Sequence, residues 1–371
     1  MSLEREKKDW FSTDPLIFFP VLLLTGIGVV MVYSASSEIA LKGYQNEYFF
    51  FTRQLVYACV GMLAMAFGFF FPYRLYKLLA YPIIIFSVLL LCGVFIPGIG
   101  HSAGGASRWI DFKWFMFQPS ELARFSLIVY MAYSMTKKED AVERFSIGFA
   151  PHVLLLLVFT ALILPQPDFG TILILWALTW IVMFGGRARL LYLLGSLIPL
   201  VPITLWLLVS SDYRLKRAMT FLDPWKYPHD EGYQITHSLM AFGSGGMFGK
   251  GFGQGYQKLF YLPTPHTDFI FSVIGEEGGF VALGFIIAMF LLIMWRGIFI
   301  SISVKDTFGA LLSFGIIVSI TLQAIVNMGV DLSLLPTKGL TLPFLSYGGS
   351  ALVFDLFCIG ILMNIARVNK R

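Results

Sequence analysis

The sequence predicts an all-α polytopic membrane protein. It has about ten transmembrane helices, both termini in the cytoplasm, and a large extracytoplasmic loop between helices 7 and 8. Three observations carry this. The 371 residues are 57% hydrophobic and 13% charged, where a soluble domain carries about a quarter charged residues. Phe alone supplies 37 residues. Apolar runs of about 20 residues recur, each long enough to cross a bilayer as a helix. Repeated uncharged runs of that length exclude a soluble helical core.

The runs fall at about 15–36, 50–71, 76–96, 119–135, 148–164, 169–185, 189–210, 269–295, 308–329 and 347–367. The first follows a charged stretch, Glu4 to Lys8. No small-residue cleavage site closes it, so it reads as an uncleaved helix. Between the third and fourth lies a Gly-rich loop, 97–118, with Arg108 and Trp109. The fifth and sixth are joined by a very short turn holding Asp168. Residues 211–268 form the longest polar loop and contain the Gly-rich run 243–255; loops that long are usually functional. The eighth run begins just after Asp268, and the loop near 330–346 leads into the tenth. The whole chain, 1–371, reads as one integral membrane domain.

Orientation follows from the basic residues. With the N-terminus inside, the inner loops hold 15 of the 27 Lys and Arg. Six of the remainder sit in the one long loop, and short loops carry the topology signal. The net charge of +5 suits anionic lipid without naming a function. The basic residues are dispersed on the outer side, which excludes nucleic acid as a partner. Cys59, Cys92 and Cys358 lie in apolar runs and form no metal-ligand spacing. No cofactor motif is present, although the outer carboxylates could hold a divalent cation.

The outer carboxylates are the first candidates for chemistry. Asp268 ends a polar run, Pro263-Thr-Pro-His-Thr-Asp268, and an apolar helix follows. Partial burial there raises a carboxyl pKa toward the range of a general base. The same position suits a helix N-cap, and the two roles are compatible. Glu276 and Glu277 lie roughly 12 Å further along the helix axis. At that depth they need partners or a polar cavity. Asp168, in Gln166-Pro-Asp-Phe-Gly-Thr171, either caps the next helix or reaches into a site. Asp355, inside the last run, requires an unseen partner.

A basic group faces the same side: Arg108, Lys113, Arg124, Arg214, Lys216, Arg217, Lys250, Lys258 and Lys338. Such a cluster could hold a phosphate or diphosphate, with backbone N–H groups at 243–255 as further donors. No strand and no Ser or Thr accompanies Gly249-Lys250 in the manner of a Walker loop. Arg108 and Arg124 flank membrane segments near Glu121. Glu121 and Arg124 are three apart on a helix and can equally pair with each other.

Taken in order, these segments resemble the SEDS family (shape, elongation, division and sporulation), which includes FtsW, RodA and SpoVE. The motifs are Arg108-Trp109, Gln118-Pro-Ser-Glu121, Gln166-Pro-Asp-Phe-Gly-Thr171, Asp223-Pro224, Gly232-Tyr-Gln234, Gly243-Ser-Gly-Gly246, His266-Thr-Asp-Phe-Ile-Phe271, Gly275-Glu-Glu277 and Ser346-Tyr-Gly-Gly-Ser350. Lys258-Leu-Phe-Tyr-Leu-Pro263 and Leu335-Pro-Thr-Lys-Gly-Leu-Thr-Leu-Pro343 look more like the cell-division branch than the elongation or sporulation branches. The family usually has Lys where this chain has Arg124. It usually has Leu or Phe at the position of Gly278, so the helix after the paired glutamates should loosen there.

The resemblance implies a peptidoglycan glycosyltransferase that polymerises lipid II at the outer face of the bacterial cytoplasmic membrane, at the division septum. It places the family's functional carboxylates on Asp268, Glu121 and Asp168. Arg108, Arg124, Lys338, Lys250, His266 and Ser346 become candidates for substrate and diphosphate. Glu276, Glu277, Gln118 and Tyr347 become polar support. The implied partners are lipid II, an undecaprenyl-diphosphate-linked glycan, a class B penicillin-binding transpeptidase and other divisome membrane proteins. Two rival readings stand beside it. A lipid II flippase would carry its best polar groups near the membrane midplane, whereas the strongest cluster here is external. A non-catalytic division scaffold would not need the intact polar loop.

Overall fold

The computed structural model describes residues 14–103, 106–112, 115–209, 220–221, 223–226, 232–259, 262–336 and 339–369. Among these, eleven α-helices account for most of the chain. They are α1 (Pro15–Tyr44), α2 (Phe49–Phe70), α3 (Tyr76–Gly93), α4 (Pro119–Lys137), α5 (Ala150–Ile163), α6 (Phe169–Gly185), α7 (Leu190–Val209), α8 (Tyr233–Gly245), α9 (Ile270–Ser303), α10 (Thr307–Asp331) and α11 (Gly349–Asn369). Ten of them overlap the ten apolar runs; α8 lies in the long polar loop. Among the described residues, seven segments are long and apolar enough to cross a membrane: the spans at α1, α2, α3, α5, α9, α10 and α11.

The ends differ from the hydropathy pattern for physical reasons. α1 runs eight residues past its apolar stretch, through Ser37-Glu-Ile-Ala-Leu-Lys42. At 1.5 Å per residue its 30 residues exceed the roughly 30 Å hydrocarbon layer, so its last turns stand in the polar interface. α9 is 34 residues long and is two helices meeting at Gly279, whose φ of 67° and ψ of −168° are not helical. The expected weakness at Gly278 is therefore a true break, one residue later.

Residues 97–118 are not the irregular loop that the sequence suggests. They carry a three-stranded antiparallel sheet in the order β1 (Gly100–Ala103), β2 (Ala106–Asp111), β3 (Met116–Phe117). Gly100 pairs with Ile110 and Ile110 with Phe117. Strands this short, with a bulge after His101, leave no period-two apolar pattern to read.

α10 and α11 are the buried centre of the bundle, with α4 beside them. α11 and α2 approach closely because small residues line their seam. A Cβ at Gly360 would lie 2.1 Å from the Met65 carbonyl oxygen, and one at Gly68 would lie 2.7 Å from that of Phe357. Lipid supplies no hydrophobic drive between helices, so close packing of this kind holds them together. At the far end of the seam, Asn364 closes the α2–α3 turn: its amide donates to Phe69 O at 2.6 Å and its oxygen accepts from Tyr73 N–H at 3.1 Å.

Candidate active site

Asp268 sits in the turn before α9. The helix starts at Ile270 with Phe269 as its N-cap residue, and no side chain caps it. The capping role open to Asp268 from sequence is therefore not taken up. Its main-chain oxygen accepts from Asn327 Nδ2 at 2.9 Å, which holds the residue through its backbone, while the carboxylate is hydrogen-bonded by its neighbour Thr267. Burial pushes that carboxyl up to about 6, against the opposing pull of the nearby Arg108 guanidinium. A Cβ added to Gly339 would lie 3.3 Å from Asp268 Oδ2 and 3.7 Å from Arg108 Nη1. Carboxylate and guanidinium thus flank one gap that a residue without a side chain leaves open.

Arg108 reaches this gap from β2. Its Nε donates to Gln166 O at 3.2 Å and its Nη2 to Pro167 O at 2.5 Å. The sheet is the arm that carries the guanidinium over the α5–α6 turn. Asp168 lies beneath, 4.0 Å from Arg108 Nη1. It takes up the capping role open to it from sequence, accepting from Thr171 N–H at 3.2 Å, and it also faces Arg108 and Gln118. Thr171 Oγ1 donates to its other oxygen at 2.8 Å, and Gln118 Nε2 stands 3.4 Å away.

Below Gln118 a buried ionic cluster continues down α4. Arg124 donates to Glu121 at 2.5 Å and to Asp355 at 2.9 Å, and its other Nη bonds Gln323 Oε1. This corrects one expectation and meets another. Arg124 is not at the outer face but is enclosed by two carboxylates, and it is the partner that Asp355 required. A cavity of about 30 Å³, lined by Gln118, Glu121, Arg124, Thr171, Gln323 and Gly339, joins this cluster to the gap above. It can hold a water molecule but not a sugar.

Glu276 and Glu277 are fully partnered. Glu276 accepts from Lys250 Nζ at 2.9 Å and from the N–H groups of Tyr256 at 2.9 Å and Gln257 at 3.0 Å. Glu277 accepts from Lys258 Nζ at 2.5 Å, Ser34 Oγ at 2.7 Å and Gly253 N–H at 3.1 Å. The Gly-rich stretch is thereby fastened to the first half of α9. Lys250, expected at the diphosphate, is committed to Glu276 instead. Lys338, Lys113, Arg214, Lys216 and Arg217 lie outside the described residues.

His266 and Tyr347 form an aromatic shelf beside the gap. The His266 ring packs 4.5 Å from Phe50 and 5.6 Å from Tyr347, centroid to centroid. Burial holds the imidazole down at about 4, so it stands there as a neutral ring rather than a cation for diphosphate. Burial likewise pushes the Tyr347 phenol up to about 12. Ser346 turns inward, its Oγ accepting from Leu342 N–H at 2.8 Å, which shapes the loop rather than offering a ligand. Among the described residues no group of three or more His, Cys, Asp or Glu side chains is placed to hold a metal ion.

Sequence reasoning missed Gln323, Asn327 and Asp331. The signal was available: with Ser319 they recur every four residues through an otherwise apolar run.

Comparison with known proteins identifies the family and the fold. Residues 14–371 match the family described as cell cycle protein, FtsW/RodA/SpoVE. The "Probable peptidoglycan glycosyltransferase FtsW" of Geobacter metallireducens is 47% identical over 95% of this chain and 94% of its own. Stage V sporulation protein E of Bacillus subtilis is 37% identical over 97% of this chain and 98% of its own. Among solved structures, a chain from "Structural coordination of polymerization and crosslinking by a peptidoglycan synthase complex" superposes with a TM-score of 0.80, at 28% identity over 98% of this chain and all of that one. The rod shape determining protein RodA of Thermus thermophilus gives 0.70 at 27% identity, over 98% of this chain and 99% of its own. With a family match over nearly all its length and full-length relatives at this identity, the chain belongs to the FtsW/RodA/SpoVE family of cell cycle proteins.

Proposed function

We propose that this protein is a peptidoglycan glycosyltransferase that polymerises lipid II into glycan strands, with Asp268 as its general base. The observation that carries the site assignment is the uncapped, half-buried carboxylate of Asp268 across the Gly339 gap from Arg108. The activity is supported by full-length relatives named for it. Asp268 takes the proton from the 4-hydroxyl of the acceptor GlcNAc. That oxygen forms the new bond to C1 of the α-linked donor sugar from the face opposite the diphosphate. The C1–O bond to undecaprenyl diphosphate breaks, and the linkage inverts to β. Arg108 offsets charge on the departing diphosphate. Lys338 is assigned to the same oxygens from its place in the 335–343 segment. Arg124, with Glu121 and Asp355, supports the site from below. A divalent cation, if the reaction uses one, would meet Asp168 and Asp268.

The ten helices that match the apolar runs are assigned as ten crossings. Both termini are then cytoplasmic, and the sheet, α8 and the Gly-rich stretch are outside. The protein sits in the cytoplasmic membrane at the division septum and works with a class B penicillin-binding transpeptidase and other divisome proteins. A structural neighbour solved within a peptidoglycan synthase complex supports such a partner. The water-sized cavity under the site speaks against a path for a lipid II headgroup.

The test is polymerisation of purified lipid II by the detergent-solubilised protein with its cognate transpeptidase. Wild type should make glycan and a folded Asp268→Asn protein should make none. Equal product from both removes Asp268 from the chemistry. If neither makes glycan, the activity itself is in question and a translocation assay decides.

A further inference from the structure

α10 carries one polar stripe in an apolar helix. Ser319, Gln323, Asn327 and Asp331 are spaced by four, and all are buried. Residues four apart lie above one another on a helix, so the stripe is a single line running up toward the site. Each rung of the upper three is bonded to something outside α10. Gln323 receives Arg124 on its oxygen, and its amide donates to Thr341 O at 3.0 Å and Thr341 Oγ1 at 3.2 Å. Asn327 donates from one nitrogen to Asp268 O at 2.9 Å and Leu340 O at 2.6 Å. Asp331 accepts from Ser272 N–H at 3.3 Å and Ser272 Oγ at 3.1 Å, in the first turn of α9, four residues after Asp268.

Asn327 is the unusual rung. Its two acceptors belong to the two backbone segments that face each other across the gap: the turn carrying Asp268, and the segment after Gly339. Its own carbonyl oxygen is buried with no partner. A buried unsatisfied acceptor is unfavourable and calls for a reason. The reason here is that the NH2 group is the link: a Leu would fill the space without bridging, and an Asp would present oxygen to two carbonyl oxygens.

We infer that Asn327 is a positioning residue for glycosyl transfer. It sets the distance between Asp268 and the 339–341 segment, with Gln323 fixing the same segment to the buried Arg124 cluster one turn below. The inference rests on the reading of Asp268 as the base. The turn that carries Asp268 and the segment after Gly339 are both loop backbone. The amide joins the two loops at the gap itself, and the Tyr347 N–H to His266 O bond at 2.8 Å joins them further along. Displacement by about 1 Å costs on the order of 100-fold in rate.

The experiment measures lipid II polymerisation rates against substrate concentration for wild type, Asn327→Ala, Asn327→Asp and Asp268→Asn. Hydrogen exchange is read on the same preparations. Asn327→Ala and the near-isosteric Asn327→Asp should lower kcat roughly 10- to 100-fold with KM changed less than about threefold. Exchange should rise in 262–269 and 339–345 while α2, α11 and the α4 cluster keep their protection. Normal kcat in both Asn327 variants overturns the inference, as does exchange that rises throughout the bundle. If Asp268→Asn is inactive while the Asn327 variants are normal, the positioning role alone fails. If Asp268→Asn keeps wild-type activity, the base assignment fails, and the exchange data then decide separately whether Asn327 bridges the loops.

Discussion

At the residue scale the decisive side chain is Asp268, and its two properties pull in opposite directions. Burial raises its carboxyl to about 6, which places it near the working pH of a general base. The same shift makes the ionised form unfavourable in the folded protein. A carboxyl whose folded value lies above its unfolded value adds stability below the unfolded value, near 4, and loses it as pH rises through the folded value. Between about 4 and 6 that contribution fades, and above 6 the buried charge is a net cost. Asp268→Asn should therefore abolish polymerisation while leaving the melting temperature unchanged or higher at pH 7.5. An equal or lower melting temperature difference should be seen at pH 4.5, where the carboxyl is already neutral. In wild type the rate should rise with pH through about 6, because only the ionised carboxylate accepts the proton. A flat profile from pH 5 to 8, with chemistry limiting, would count against Asp268 as base. His266 does not complicate this limb, since it is neutral throughout the range.

At the element scale, α9 shows how a break in a helix is used. Gly279 lies in a backbone region open essentially to glycine alone, and a Cβ there would come within 2.3 Å of Gly249 N and 2.6 Å of Met247 O. Gly279→Ala should cost about 1–3 kcal/mol in backbone strain alone, with the clash added. The check is the thermal unfolding of the detergent-solubilised protein. Just before the break, Glu277 holds Lys258 and Ser34 in a buried cluster. Glu277→Ala strands the Lys258 ammonium and should cost about 3–5 kcal/mol. The paired replacement Glu277→Leu with Lys258→Met should recover much of that loss, because apolar residues of similar volume commonly replace a buried ion pair without penalty. If the pair melts no higher than Glu277→Ala, the cluster acts through more than charge compensation. These interactions mark what could and could not be read from the chain. Hydropathy located each apolar helix because lipid-facing composition is a local property. The Glu277–Ser34 and Arg124–Asp355 pairs join residues 243 and 231 positions apart, and no local pattern reports such distant partners. Asp268, Arg108 and Asp168 were legible as candidates through their motifs, and the structure brings them together; Asn327 and Gln323 were not legible, because isolated amides in an apolar run look like noise until their four-residue spacing is counted.

At the scale of the whole molecule, the question is how many of the helices cross the membrane. By length and hydropathy seven segments qualify among the described residues, and α4 is not among them. α4 carries Glu121, Arg124 and several hydroxyls, yet most of its residues are buried inside the bundle. Hydropathy reports contact with lipid, and a helix surrounded by other helices can be polar on every face that finds a partner. α4, α6 and α7 should then cross as well, giving ten. The two counts make opposite statements about Lys138, which follows α4. With ten crossings and a cytoplasmic N-terminus, Lys138 and Lys305 are both cytoplasmic. If α4, α6 and α7 did not cross, Lys138 would be outside and the termini would lie on opposite sides. Both lysines are exposed, as are Phe112 after β2 and Phe248 in the Gly-rich stretch. Single cysteines at these four positions, in a background with Cys59, Cys92 and Cys358 replaced, give the test in spheroplasts with a membrane-impermeant maleimide. Phe112→Cys and Phe248→Cys should react in intact spheroplasts. Lys138→Cys and Lys305→Cys should react only after permeabilisation. Labelling of Lys138→Cys from outside would remove α4 as a crossing. The buried Glu121–Arg124–Asp355 cluster would then need an explanation other than a polar core enclosed within the membrane.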